Sequence, residues 1–167
     1  VRGMTRDQGR NRRVLIIDDA ESIHEDFRKI LMPGGASEAE LHAAEAALFG
    51  GGEAVLAEPF DVESAFQGAD GLAMVERAAA EGRPYAVAFV DMRMPPGWDG
   101  VETIERLWKA DPDLQVVICT AYSDYTWTEV VERLGRTDRL LLLRKPFDNA
   151  EVWQLADALT MKWQLGQ

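Results

Sequence analysis

Four short apolar runs in this chain each lead to a polar residue, and together they constrain the fold more than any other feature. Val14-Leu15-Ile16-Ile17 runs into Asp18-Asp19, Ala86-Val87-Ala88-Phe89-Val90 into Asp91, Leu114 to Cys119 into Thr120, and Leu140-Leu141-Leu142-Leu143 to Lys145 just beyond it. If the runs are strands of an open parallel sheet, their carboxyl ends lie along one edge, where ligands bind in the crevice. Three acids, a hydroxyl and an ammonium then converge there.

Such convergence needs a chemical reason. Two carboxylates about 4 Å apart repel by roughly 4 kcal/mol at an effective dielectric near 20. A divalent cation removes the repulsion, and Mg²⁺ suits hard oxygen ligands while keeping positions open for water and phosphate oxygens. The pattern therefore predicts a metal-assisted phosphoryl-transfer centre.

Between the runs lie helical spacings. Ser22 and Glu25 form a capping-box pattern ahead of Phe27, Ile30 and Leu31, and Pro33-Gly34-Gly35 closes that helix. A strand near Phe60 to Ala65 precedes a helix from about Ala69 to Glu81 with Leu72, Val75 and Ala79 on one face. A loop with Pro95, Pro96 and Gly97 leads to a helix carrying Val101, Ile104 and Leu107. The next helix spans about Asp124 to Leu134, with Trp127, Val130, Val131 and Leu134 at helical spacing, and the last opens on Asp148 and Glu151 and carries Val152, Leu155, Leu159 and Trp163. Five strand and helix pairs imply a doubly wound α/β fold.

At 167 residues the chain fits one domain, with residues 1–12 as a flexible basic tail and 13–165 as the folded unit. The net charge of -11 disfavours unaided binding to nucleic acid or an anionic membrane. Cys119 is the sole cysteine and sits in an apolar run, so it reads as a buried structural thiol, which suits the cytoplasm. No apolar stretch approaches the length of a membrane span. His24 and His42 read as solvated helix positions, because no cysteine or histidine stands at zinc-ligand spacing from them.

The order Asp18-Asp19, Asp91, Thr120, Lys145-Pro146, with Met92-Arg93-Met94-Pro95 and Asp99-Gly100 after the third acid, resembles the receiver domain of two-component response regulators. The resemblance runs from about Arg13 to about Lys162. It implies a five-stranded parallel sheet of flavodoxin-like order 2-1-3-4-5 and a signalling domain rather than an enzyme acting on a separate substrate. It also implies that Asp91 accepts a phosphoryl group from a sensor histidine kinase or a phosphotransfer protein. Asp18, Asp19, Asp91 and the backbone carbonyl of Arg93 would hold Mg²⁺, while Thr120 and Lys145 would bind phosphoryl oxygens. A cis bond between Lys145 and Pro146 is part of the same pattern. The output is expected through a linked domain, a homodimer or a separate partner surface.

The chain departs from that pattern in two places. Residues 33–59 exceed the connection of about two to six residues usual between a helix and the next strand. Ser37-Glu38-Ala39-Glu40 and the stripe Leu41, Ala44, Leu48 and Phe49 predict an inserted helix there. On the fifth strand, Leu142 stands where the family usually has an aromatic residue that changes rotamer on phosphorylation, so Tyr122 or Tyr125 is the alternative route for the switch. The loop after Asp91 is also one residue longer than usual.

Two rival readings follow from the same residues. A haloacid-dehalogenase-type hydrolase also forms an aspartyl phosphate, but it requires an acid two residues after the nucleophile, where this chain has Arg93. The other rival is a receiver-like interaction module that is never phosphorylated, which Leu142 favours and the intact acidic group opposes.

Overall fold

The computed structural model describes residues 10–32, 59–121 and 127–167. Its elements alternate along the chain. They are β1 (Arg13–Ile17), α1 (Glu21–Leu31), β2 (Asp61–Ala65), α2 (Gly68–Ala80), β3 (Val87–Asp91), α3 (Gly100–Ala110), β4 (Gln115–Thr120), α4 (Trp127–Leu134), β5 (Leu140–Arg144) and α5 (Asn149–Leu165). The inserted helix expected within 33–59, with His42, lies outside the described residues, as do Tyr122, Tyr125 and the start of the helix expected near Asp124.

The strands form one five-stranded parallel sheet in the order β2-β1-β3-β4-β5, the doubly wound flavodoxin-like topology. All residues of β3 and β4 are buried, because helices cover both faces of the sheet and leave no solvated side to alternate with. Successive residues still point to opposite faces. Leu15, Ile17, Ala88, Val90, Val116 and Ile118 pack with α2, α3 and α4. Val14, Ile16, Val87, Phe89, Val117 and Cys119 pack with α1 and α5. Each fully buried Val, Leu, Ile or Phe among them is worth about 1.5–3 kcal/mol relative to exposure, so the two half-cores fix the register and with it the residues at the strand ends.

The helices differ from expectation in four details. The helix α1 starts at Glu21 with Ala20 as its N-cap residue and no side-chain cap. The Ser22–Glu25 box is therefore not used, because both residues already lie within the helix that follows the acidic pair. On α2 the inward face is Gly71, Val75 and Ala78, while Ala79 is exposed. Gly71 sets this rotation, since a Cβ there would meet Ile17 Cδ1 at 2.4 Å. Trp127 on α4 is 45% exposed, and Val130 is that helix's buried anchor. His24 is fully buried rather than solvated. The cap of α5 is as expected, with Asp148 accepting from the Ala150 N–H at 3.3 Å. Among the described residues no helix is long and apolar enough to cross a membrane.

Candidate functional site

Strands β1 and β3 are neighbours, yet the chain leaves β1 for α1 on one face and β3 for α3 on the other. Their carboxyl ends therefore open into the crevice that such a switch of direction creates. Asp18 follows β1 and is held at several points. Its N–H donates to the Ala65 carbonyl at 3.1 Å. Its Oδ1 accepts from the Ala20 N–H at 2.9 Å. Its own carbonyl oxygen accepts from His24 Nε2 at 2.7 Å. Asp18 is buried and Asp19, next to it, is exposed.

Asp91 ends β3 and is buried. The loop beyond it is pinned by the buried side chains of Met92 and Met94, by the Met92 N–H donating to the Cys119 carbonyl at 2.9 Å, and by the Gly100 N–H donating to the Met92 carbonyl at 2.8 Å. Asp99 caps α3 by accepting from the Glu102 N–H at 2.8 Å. Arg93 lies on this loop with its side chain exposed. Trp98 packs against the start of α2 and under the Arg106 guanidinium, 4.3 Å from the ring centre. Its surroundings are thus α2 and α3.

On the other side, Thr120 ends β4 one residue past Cys119, the register partner of Asp91. Its Oγ1 donates to the Ala121 carbonyl at 3.0 Å. The Lys145 N–H donates to the Thr120 carbonyl at 2.9 Å, which extends the β4–β5 ladder and sets the two residues side by side. The Lys145–Pro146 peptide is cis, as is Pro95–Pro96. The Lys145 ammonium then reaches across the crevice, 2.9 Å from Asp91 Oδ1 and 3.3 Å from Asp18 Oδ2.

Electrostatics decide what this arrangement lacks. Burial pushes the Asp91 carboxyl above the ordinary carboxylate range, the charges of Asp18 and Asp19 push it further, and the Lys145 ammonium only partly opposes them. Burial alone would lower the Lys145 ammonium, but its hydrogen bond to Asp91 and the charges of Asp91 and Asp18 outweigh that and raise it. The two shifts agree physically, since one ammonium is shared by Asp91 and Asp18 while Asp19 adds further negative charge, and Asp91 is left under-compensated. Asp18, Asp19 and Asp91 each offer an oxygen within 4.8 Å of the others. An all-oxygen donor set with a deficit of positive charge fits a hard divalent cation. Burial also pushes the Cys119 thiol far up, which leaves it inert beside the site.

His24 is the residue near the site that sequence reasoning missed. Its ring packs on Phe66 with centroids 4.3 Å apart, and its Nδ1 is buried with no hydrogen-bond partner among the described residues. An unsatisfied buried polar atom costs about 1–3 kcal/mol. The available signal was its spacing with Phe27 and Leu31, three and seven residues on, which places it on the apolar face of α1.

Residues 53–157 match the family model described as the response regulator receiver domain. The chain is 35% identical over 100 residues to the sporulation initiation phosphotransferase F of Bacillus subtilis, covering 59% of this chain and 76% of that protein. It is 36% identical over 76 residues to the photosynthetic apparatus regulatory protein RegA of Cereibacter sphaeroides, covering 46% of this chain and 39% of RegA. The chain thus spans about two fifths of RegA's length. Among solved structures, an adenylate cyclase from Rhodopirellula baltica superposes with a TM-score of 0.67 at 22% identity, covering 93% of this chain and 91% of that one. A CheY-like receiver domain protein from Methanospirillum hungatei gives 0.65 at 19% identity, with 94% and 99% covered. These structural likenesses carry the fold alone.

Proposed function

The chain belongs to the response regulator receiver domain family, and from that premise we propose that it is a phosphoacceptor switch in which Asp91 takes a phosphoryl group from a phosphohistidine on a sensor kinase or phosphotransfer protein. The observation that carries this reading is the Lys145 ammonium bonded to both Asp91 and Asp18 in a crevice that still lacks positive charge.

An Asp91 carboxylate oxygen forms the new bond to phosphorus as the bond from phosphorus to the donor's histidine nitrogen breaks. Asp18, Asp19 and Asp91, with the Arg93 carbonyl, are the groups that would hold Mg²⁺, which when bound neutralises charge on the phosphoryl oxygens. Lys145 holds Asp91 in place before transfer and offers its N–H groups to the phosphoryl oxygens afterwards. The Thr120 hydroxyl exchanges the Ala121 carbonyl for a phosphoryl oxygen as acceptor. Catalysis in this class is mostly positioning and charge stabilisation, and a preformed set of donors supplies both. The added charge then biases the surface built by α4 and β5 towards a partner, a linked output domain or a second copy. The folded unit is residues 13–165, and its proposed place is the cytoplasm.

The test is incubation with phosphoramidate or acetyl phosphate, with and without Mg²⁺, followed by intact-mass spectrometry. Wild type should gain one phosphoryl group only with Mg²⁺, and Asp91→Asn none. Equal labelling of the two would remove Asp91 from the role. No labelling of either would favour the interaction-module reading.

A further inference from the structure

We propose that His24 is a positioning residue for the acidic pair, in that its Nε2–H, donated to the Asp18 main-chain carbonyl, fixes the directions of the Asp18 and Asp19 carboxylates and so sets how tightly the crevice holds a divalent cation. The inference rests on the metal-binding part of the function proposed above.

A carbonyl oxygen only accepts, so Nε2 carries the donated proton in this contact, and Nδ1 is the ring's second polar atom. That Nδ1 is buried without a partner. Phenylalanine or leucine would fill the same place beside Phe66 with no such penalty, so the imidazole contributes what they lack, a donor aimed at Asp18. The peptide bond is planar, so the Asp18 carbonyl shares one rigid plane with the Asp19 N–H and Cα. Anchoring that oxygen at 2.7 Å fixes the direction in which Asp19 leaves the strand. Asp19 depends on this, because it is exposed and makes no side-chain hydrogen bond among the described residues. The Asp18 N–H, on the other side of the same residue, is tied to Ala65 at the end of β2. The ring of His24 packs on Phe66, the next residue, so one side chain clamps β1, β2 and α1 at the point where the acids emerge.

Groups that orient metal ligands without touching the metal typically change affinity by about 10–100-fold when removed. Isothermal titration of Mg²⁺ into wild type, His24→Phe and His24→Gln is the test, with Asp18→Ala as the reference for loss of a ligand. His24→Phe keeps an aromatic ring and loses the donor, so affinity should fall about tenfold, at the low end of that range. His24→Gln restores a side-chain N–H and should recover most of the loss. Wild-type affinity in His24→Phe, or equal losses in both variants, would overturn the positioning role while leaving the proposed function standing. No Mg²⁺ binding by wild type would overturn both. Should His24→Phe fail to fold, nitrogen NMR of the wild-type imidazole decides the matter. A single Nε2-protonated tautomer with a slowly exchanging proton is expected, and an Nδ1-protonated ring or a mixture of tautomers would sink the proposal.

Discussion

A Cβ on Gly100 would lie 2.6 Å from the Asp91 carbonyl oxygen and 2.9 Å from the Met92 Cα. Helix α3 therefore begins in contact with the backbone that presents Asp91, and only a residue without a side chain allows it. The obstacles are main-chain atoms of a buried strand end, which have nowhere to move. Gly100→Ala should destabilise the fold by about 1–3 kcal/mol, the usual cost of overpacking. Urea unfolding measures it, and an unchanged midpoint would show that the strand end yields.

Asp91 should weaken the metal-free fold at neutral pH. Its folded-state pKa is raised above the ordinary 3.8, by burial first and then by Asp18 and Asp19, so the folded form binds the proton more tightly than the unfolded form. The stability linked to that proton is present below the unfolded pKa and is lost as pH rises through the folded one. Asp91→Asn, which stays neutral, should therefore melt higher than wild type at pH 7 in EDTA, and the gap should close as the pH falls below about 4. Thermal melts at the two pH values check this. A variant that melts lower at pH 7 would mean that Lys145 more than compensates the carboxylate.

Much of this fold is legible in the chain because a two-sided parallel sheet demands nearly continuous apolar strands, and such runs are hard to mistake when each ends in a chemically distinctive residue. The juxtaposition of Asp18, Asp91 and Lys145 follows from topology once the runs are strands. What is not legible depends on contacts between elements. Ala78 faces inward instead of Ala79 because Gly71 must meet Ile17. Trp127 turns outward because α4 is seated on the core by Val130, with Leu134 packed partly buried beside it. Spacing along α1 places His24 on the apolar face but does not reveal the acceptor that its ring meets at the end of β1.

On the edge strand β2, Glu63 Oε1 accepts from Tyr85 Oη at 2.5 Å and Arg13 pairs with Glu63 Oε2 at 3.0 Å. Burial pushes the Glu63 carboxyl up, but the Tyr85 hydrogen bond and the Arg13 charge outweigh it and hold it below its ordinary 4.5. A depressed folded pKa adds stability above the unfolded value that is lost as pH falls through the folded one. Glu63→Gln should cost about 1 kcal/mol or less at pH 7, given how exposed the group is, and less at pH 4, below the ordinary 4.5. Denaturant titrations at the two pH values test it, and a pH-independent cost would point to packing instead.

Leu142 pairs in register with Ile118 and packs, half-buried, against the core on the α3 and α4 side. A branched aliphatic side chain offers neither a ring to rotate nor a hydroxyl to expose, so we expect phosphorylation to be read elsewhere. On the proposed function, the route would begin at Thr120, whose hydroxyl would leave the Ala121 carbonyl for the phosphoryl group, and would pass along the chain into α4. Trp127, exposed at the start of α4, is a natural reporter there, and Trp153, buried on α5 at the far face of the sheet, is an internal control. Fluorotryptophan labelling gives five fluorine signals, one for each tryptophan, assignable by single Trp→Phe variants. On adding beryllofluoride with Mg²⁺, the Trp127 signal should shift and the Trp153 signal should hardly move. Asp91→Asn should abolish the shift. Movement at Trp153 with none at Trp127 would place the response on the α1 and α5 face, and silence at both would mean that the acidic crevice does not drive this surface.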